Sequence, residues 1–328
     1  MFPYWSTPVA GDGDARGRRH PDRALAVFVD DPDVEVGQAL GLPEEVDAAA
    51  AKPCEPRGEG ADPERAKAAR RFADCAFHGD GVCAVGRPFA RRIALQVRAD
   101  VVVAIGGDGT VLRAVGMVAD AGVPLVALNA GQLGYLADVA PERAEWALDE
   151  LAAGRGRLEE RMRVQATVTP AAGDPQTPIS TRTGLNEVVV ERSLTGHTLR
   201  LRVYLDGEFF TSYVTDGMVV ATPTGSTAYA LSVRGPIVAP THRALVMVPV
   251  APHLLFDRAM VLEASSTVEL EVVGHRSAVL SVDGQSGTEV APGGRVCCSM
   301  APVPARFIRF EQLRFHDVLK RKFSLADR

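Results

Sequence analysis

The fold turns on Asp100-Val101-Val102-Val103-Ala104-Ile105-Gly106-Gly107-Asp108-Gly109-Thr110-Val111-Leu112-Arg113-Ala114-Val115. Its first part is an unbroken apolar run, which predicts a central parallel strand covered on both faces rather than one with a wet side. The run ends in a glycine cluster and passes into a segment that reads as helix. Downstream, Val123-Pro124-Leu125-Val126-Ala127-Leu128 is a second such run, closed by Asn129-Ala130-Gly131-Gln132-Leu133-Gly134. Strand, helix and strand joined by short turns is the grammar of an open α/β sheet. Ligands of such sheets bind beyond the carboxyl ends of the strands, and both glycine clusters fall there.

Working outward, residues 24–29 form a short apolar run and a first strand, preceded by a Gly-, Asp-, Arg- and Pro-rich stretch that reads as a mobile tail. Residues 41–62 read as loop with some helix, and 63–78 as a helix with Asp62 as cap and Pro63 at its first position. A helix near 141–153 closes this half. From about residue 157 the period changes to two. Leu199, Leu201, Val203 and Leu205 alternate with polar residues, and Asp206-Gly207 supplies a hairpin turn. Met218-Val219-Val220-Ala221, Leu245-Val246-Met247-Val248, Ala278-Val279-Leu280-Ser281-Val282 and Phe307-Ile308-Arg309-Phe310 continue the series. Strands this dense predict a β-rich second domain. The expected organisation is a flexible tail over 1–23, an α/β domain with an open, mostly parallel sheet over 24–155, and a β-rich domain over 156–310. A C-terminal segment, 311–328, with a short helix near 316–323, packs back on the first domain.

At 328 residues the chain is long enough for two cores, and 46% hydrophobic with 23% charged residues is ordinary for a globular protein. A net charge of -5 speaks against a nucleic-acid binder. The lysines are Lys52, Lys67, Lys320 and Lys322, so none lies between residues 100 and 300, where the glycine clusters are. A P-loop needs one there and is excluded. Phosphate charge must be met by backbone amides, arginine or a metal. The cysteines lack metal-ligand or disulfide-framework spacing, no His, Cys and carboxylate cluster suggests a protein-held metal, and neither a signal peptide nor an apolar run of about 18 residues is visible. A cytoplasmic protein is expected, with no membrane partner.

In Gly106-Gly107-Asp108-Gly109-Thr110, glycines at a strand end let backbone amides approach an anion, and the helix beginning near Thr110 adds its positive end. A carboxylate beside phosphates repels them, and is tolerable if it accepts the proton of an attacking hydroxyl or holds Mg²⁺. The loop Thr222-Pro223-Thr224-Gly225-Ser226-Thr227-Ala228-Tyr229 carries four hydroxyls besides the phenol and can wrap a polyhydroxylated ligand. Asn186-Glu187 before a strand and Asp216-Gly217 are unremarkable alone.

In this order, G-G-D-G-T, N-x-G-x-x-G-Y, N-E, D-G and T-P-T-G-S-T-A-Y resemble the NAD kinase family from about residue 100 to the C-terminus. The resemblance implies a two-domain kinase that transfers the γ-phosphoryl group of ATP, or another donor, to the adenosine-ribose 2′-hydroxyl of NAD with a divalent metal such as Mg²⁺. It implies Asp108 as general base, with Gly106, Gly107, Gly109 and Thr110 at the donor phosphates and Arg113 among the nucleotide-binding residues. Asn129, Tyr135, Asn186, Glu187, Asp216, Thr224, Thr227, Ala228, Tyr229, Ser232 and Arg234 would line the dinucleotide pocket. It also implies a homodimer or homotetramer. Where the family usually reads S-A-G-G-P this chain has Ser232-Val233-Arg234-Gly235-Pro236, which sets a cation beside the expected pocket. The residues by themselves also admit a kinase for another hydroxyl acceptor (a nucleoside, inositol or sugar), a lipid kinase, or a non-catalytic dinucleotide sensor.

Overall fold

The apolar run becomes strand β3 (Val101–Gly106), buried along its whole length. A computed structural model describes residues 25–29, 82–85, 100–129, 134–137, 139–140, 143–171, 179–194, 196–311 and 314–325. The tail over 1–23, the loop at 41–62 and the helix expected at 63–78 lie outside the described residues.

Strand β3 sits between β1 (Leu25–Val29) and β4 (Leu125–Asn129), parallel to both, and β2 (Val82–Val85) extends the sheet parallel to β1. With β5 (Arg157–Arg161) and β18 (Ala305–Arg309) the order is β2-β1-β3-β4-β18-β5. Helix α1 (Asp108–Val118) buries Thr110, Val111, Ala114, Val115 and Val118, a single face at helical spacing, and packs on β3 and β4. Helix α2 (Ala144–Ala152) buries Ala144, Ala147 and Leu151 in a cluster with Val101, Val103, Ile105, Val126 and Leu128. Helices on the sheet explain why β3 and β4 carry no polar alternation.

The second unit holds two antiparallel sheets. One has the order β10-β9-β14-β17-β6-β7, built from β6 (Val164–Thr169), β7 (Ser180–Gly184), β9 (Leu199–Leu205), β10 (Glu208–Thr215), β14 (Val268–Val273) and β17 (Arg295–Met300). The other has the order β13-β12-β11-β8-β15-β16, from β8 (Glu187–Arg192), β11 (Gly217–Ala221), β12 (Ala244–Val250), β13 (Met260–Glu263), β15 (Ala278–Val282) and β16 (Gln285–Val290). Alternate residues of both sheets, among them Val164, Val188, Leu201, Met218, Leu245, Leu270 and Val296, share one core. The outer face of β8, β11 and β12 is apolar too, because Ala230 of the one-turn helix α3 (Tyr229–Ser232) packs there on Val189, Val219 and Val246. That second layer is the reason β11 reads as a continuous apolar run. At the β9–β10 hairpin, Asp206 and Gly207 take φ of 52° and 86°, the paired positive values of a two-residue turn.

Chain contacts divide the molecule into Met1–Glu159 with Arg306–Arg328, and Glu160–Ala305. Two segments therefore depart from the expected organisation, and the first is β5, which lies within 156–310 yet joins the first sheet beside β18. The second, Phe307 to Phe310, grouped by pattern with the β-rich domain over 156–310, lies in the first unit, where β18 pairs parallel to β4 through Phe307 and Leu125. Composition shows only that the strand is apolar and β-prone. Which sheet takes it depends on a parallel pairing across more than 180 residues of chain, which no local pattern encodes. Helix α4 (Phe315–Lys322), expected near 316–323, follows it in the first unit.

Candidate active site

In the first unit the β3–β4 register sets Gly106 beside Asn129, so the two strand ends carrying the glycine motifs lie next to each other. Helix α1 starts at Gly107 with extended backbone and no side-chain cap. The Thr110 N–H donates to the Gly107 carbonyl at 3.0 Å, and the helix start lies at the positive end of the dipole, a place for an anion. The Arg113 guanidinium nitrogens stand 3.9 Å from where a Gly109 Cβ would be, so this cation lies over the first turn. Burial presses the Arg113 pKa down. Thr110 is buried beneath the turn.

Asp108 is the first helical residue. Its Oδ2 accepts the Tyr135 N–H at 2.8 Å and its Oδ1 accepts the Leu136 N–H at 3.1 Å. Two charge-assisted bonds thus fix the carboxylate while each oxygen keeps a second lone pair. Gly134 lets the chain pass this close, since a Cβ there would collide with the Asp108 carboxylate. The contact is braced from behind by Arg309 on β18, whose buried guanidinium donates to the Leu136 carbonyl at 2.9 Å and reaches Glu159 at 3.3 Å. Lys322 of α4 lies 4.8 Å from the centre of the Tyr135 ring. Burial, then the charge of Asp108, raises the Tyr135 pKa. Asn129 is buried and its Oδ1 has no hydrogen-bond partner. Residues 131–133 lie outside the described residues.

In the second unit, β8 and β11 pair with Glu187 opposite Ala221, which brings the loop 222–229 onto Asn186. The Thr222 N–H donates to the Asn186 carbonyl at 2.8 Å, and the Thr222 hydroxyl bridges the Leu185 carbonyl and the Gly225 N–H. Gly225 is held so close to the Asn186 carbonyl that no side chain fits there. Of the loop's hydroxyls, Ser226 is spent internally on Pro223 and Val238, and Thr227 donates to the Thr224 carbonyl at 3.2 Å. Thr224 keeps a buried, unpartnered Oγ1. Glu187 is also buried, with no partner for its Oε2, while the Tyr229 backbone N–H donates to the carboxylate. Burial first and then Asp283 raise the Glu187 pKa to about 7. The Tyr229 pKa is raised by burial and then by Glu191, Asp216 and Glu187, which places those acids around its ring. Asp216 is paired with Arg192 at 2.8 Å. Ala228 holds the N-cap position of α3, and Ser232 and Arg234 are exposed at its other end.

The expected residues therefore fall into two groups. Gly106 to Arg113, Asn129 and Tyr135 are on the first unit, and Asn186 through Arg234 on the second. Arg163, Arg309 and Lys322 were not expected there, and Asp283-Gly284, which falls where the family has such an element, was given no role. Asp283-Gly284 reads locally as a turn, and arginines in strand patterns read as solvated, so only the folded chain reveals them. Among the described residues no three His, Cys, Asp or Glu side chains gather to hold an ion. The expected divalent ion would be carried on the donor's phosphates. In the second unit, the orphaned Thr224 and Glu187 oxygens suit a ligand rich in hydroxyls and amino groups. No helix among the described residues is long and apolar enough to cross a membrane.

The ATP-NAD kinase C-terminal domain family matches residues 185–310 and its N-terminal domain family residues 44–156. The NAD kinase of Moorella thermoacetica is 38% identical over 229 residues, 70% of this chain and 72% of that protein. The chain belongs to the NAD kinase family. The NAD kinase of Thermococcus sibiricus is likewise 38% identical, over 213 residues, covering 65% of this chain and 74% of that one. In fold, yeast NADH kinase complexed with NADH superimposes with a TM-score of 0.76 at 21% identity, over 94% of this chain and 90% of the other. An NAD kinase from Archaeoglobus fulgidus in complex with ATP gives 0.63 at 22%, over 92% and 100%. The NAD kinase match begins at residue 44, well before the motifs that start near residue 100.

Proposed function

We propose that Asp108 is the general base in an ATP-dependent phosphorylation of NAD to NADP, taking the proton of the adenosine-ribose 2′-hydroxyl. The observation that carries this reading is the Asp108 carboxylate itself, at the mouth of an uncapped helix and held by two amides from the second glycine motif. An alcohol is a poor nucleophile near neutral pH. Phosphoryl transfer nevertheless needs mainly alignment, charge neutralisation and late proton removal. Amides of Gly106, Gly107 and Gly109, together with Thr110 and Arg113, answer the donor phosphates without a lysine in the loop. Asn129 and Tyr135 border them. Asn186 and Glu187 take the acceptor's hydroxyls, and Asp216, Thr224, Thr227, Ala228, Tyr229, Ser232 and Arg234 complete its pocket. The ion on the donor phosphates supplies further charge neutralisation when bound. A homodimer or homotetramer fits the exposed apolar group Phe209, Phe210, Leu255 and Phe256, in which the Phe210 and Phe256 rings meet at 5.9 Å.

The purified protein, given ATP and a panel of hydroxyl acceptors, should release ADP with NAD and form NADP. Phosphorylation of a different acceptor with no NADP would overturn the assignment. Asp108→Asn should lower kcat by about two to four orders of magnitude, the usual weight of a general base, with the thermal transition monitored because Asn cannot accept both amides. A folded variant with near-wild-type kcat removes Asp108 from this role.

A further inference from the structure

Asp283 and Gly284 form the turn between β15 and β16, with φ of 49° and 68°. Such two-residue turns accept Asn-Gly at least as well as Asp-Gly, so turn chemistry alone does not call for a carboxylate. The side chain here leaves its own hairpin. Oδ2 accepts the Leu185 N–H at 2.7 Å, and Oδ1 accepts those of Asn186 at 2.7 Å and Glu187 at 3.1 Å. The bond is returned, for the Asp283 N–H donates to the Glu187 carbonyl at 3.0 Å. Gly184 leaves no room for a side chain, because a Cβ would stand 2.8 Å from Asp283 Oδ1. Behind the carboxylate lies Arg163, buried, with its Nε on the Val303 carbonyl at 2.8 Å and an NH group on Thr183 Oγ1 at 3.1 Å. Its charge steadies Asp283, whose pKa burial would otherwise raise further.

We infer that Asp283 is a positioning residue for the acceptor pocket, gripping three consecutive amides so that Asn186 and Glu187 face the acceptor with the Glu187 Oε2 free. This rests on the function proposed above. Three consecutive N–H groups turned towards one anion fix the backbone at Asn186 and Glu187. The same charge acts on the Glu187 carboxyl itself, raising its pKa after burial has done so, while the Tyr229 N–H opposes the rise. The groups around Glu187 are Asp283 from the β15–β16 turn with Arg163 behind it, and Tyr229 from α3, whose phenol is in turn surrounded by Glu191 and Asp216. An ionised Glu187 can accept two acceptor hydroxyls. kcat/KM for NAD should therefore rise as pH passes through about 7.

The test compares the full chain with Asp283→Asn and Asp283→Glu, measuring kcat, KM for NAD and KM for ATP across pH. In Asp283→Asn the amide NH₂ opposes the Leu185 N–H and the charge is gone. KM for NAD should rise about tenfold, the weight of one lost bond to a charged group, with KM for ATP unchanged. The pH midpoint of kcat/KM for NAD should move lower, a change that a purely structural defect does not produce. Asp283→Glu keeps the charge but displaces it. KM for NAD should rise while the midpoint stays near wild type. Should the Asn variant fail to fold, the Glu variant alone decides. Unchanged KM for NAD in whichever variant folds, or an unmoved midpoint in Asp283→Asn, overturns the inference. A wild-type chain that makes no NADP from NAD overturns the underlying function instead, so the two failures are told apart.

Discussion

Glu187 shows what burial does to a single side chain. It opens β8, is almost wholly enclosed, and has its pKa raised to about 7 by desolvation and then by Asp283. An unfolded glutamate titrates near 4.5, so the folded state prefers the neutral acid. Stability from this group is therefore fully present below pH 4.5 and is lost as pH rises towards 7. The loss at higher pH amounts to about 3 kcal/mol from the size of the shift. Glu187→Gln should accordingly raise the melting temperature at pH 8, have little effect at pH 5, and weaken NAD turnover at both. Thermal denaturation at the two pH values checks this. A variant no more stable than wild type at pH 8 would mean that Glu187 is not held as a strained acid. In the chain, Asn186-Glu187 is an ordinary polar pair before a strand, and only its place in the motif series marked it. Its ionisation cannot be read from the sequence, because both causes, burial and Asp283, arrive from distant parts of the chain.

At the scale of an element, helix α3 ends in a closed C-terminal motif. The Gly235 N–H donates to the Ala230 carbonyl at 2.8 Å and the Arg234 N–H to the Leu231 carbonyl at 3.1 Å. This pattern places Arg234 at the left-handed position, with φ of 66°. Glycine is the usual occupant, since a side chain there costs about 1–2 kcal/mol. The substitution of Val233-Arg234 for the family's small residues was visible in the sequence. That the position demands positive φ was not, because it follows from how the helix ends against β12: a Cβ at Gly235 would lie 3.1 Å from Val248. Arg234→Gly should raise stability by about 1 kcal/mol, less a few tenths for the freer unfolded chain. Chemical denaturation reads this directly. An unchanged or lower midpoint would show that the arginine makes up for the strain through other interactions.

On the scale of the whole molecule, the chain leaves the first unit after Glu159 and returns at Arg306 to place β18 between β4 and β5. The returning strand carries Arg309, which holds the Leu136 carbonyl beside the Asp108 contact. Removing residues 305–328 should therefore abolish NADP formation although Asp108 is untouched. Limited proteolysis should then digest the first unit and leave a resistant core from 160–304. Undiminished turnover by the shortened chain would contradict that dependence. The parallel strand β3, a helix following the glycine cluster, the hairpin at Asp206-Gly207 and the family were determined by the sequence itself. Each rests on local chemistry: an apolar run, glycines, and turn residues with fixed backbone preferences. The allocation of β18 to the first sheet, the amide grip of Asp283 on Asn186 and Glu187, and the raised Glu187 pKa were decided only by tertiary structure. These depend on residues about a hundred or more positions apart coming into contact, and on water being excluded where they meet.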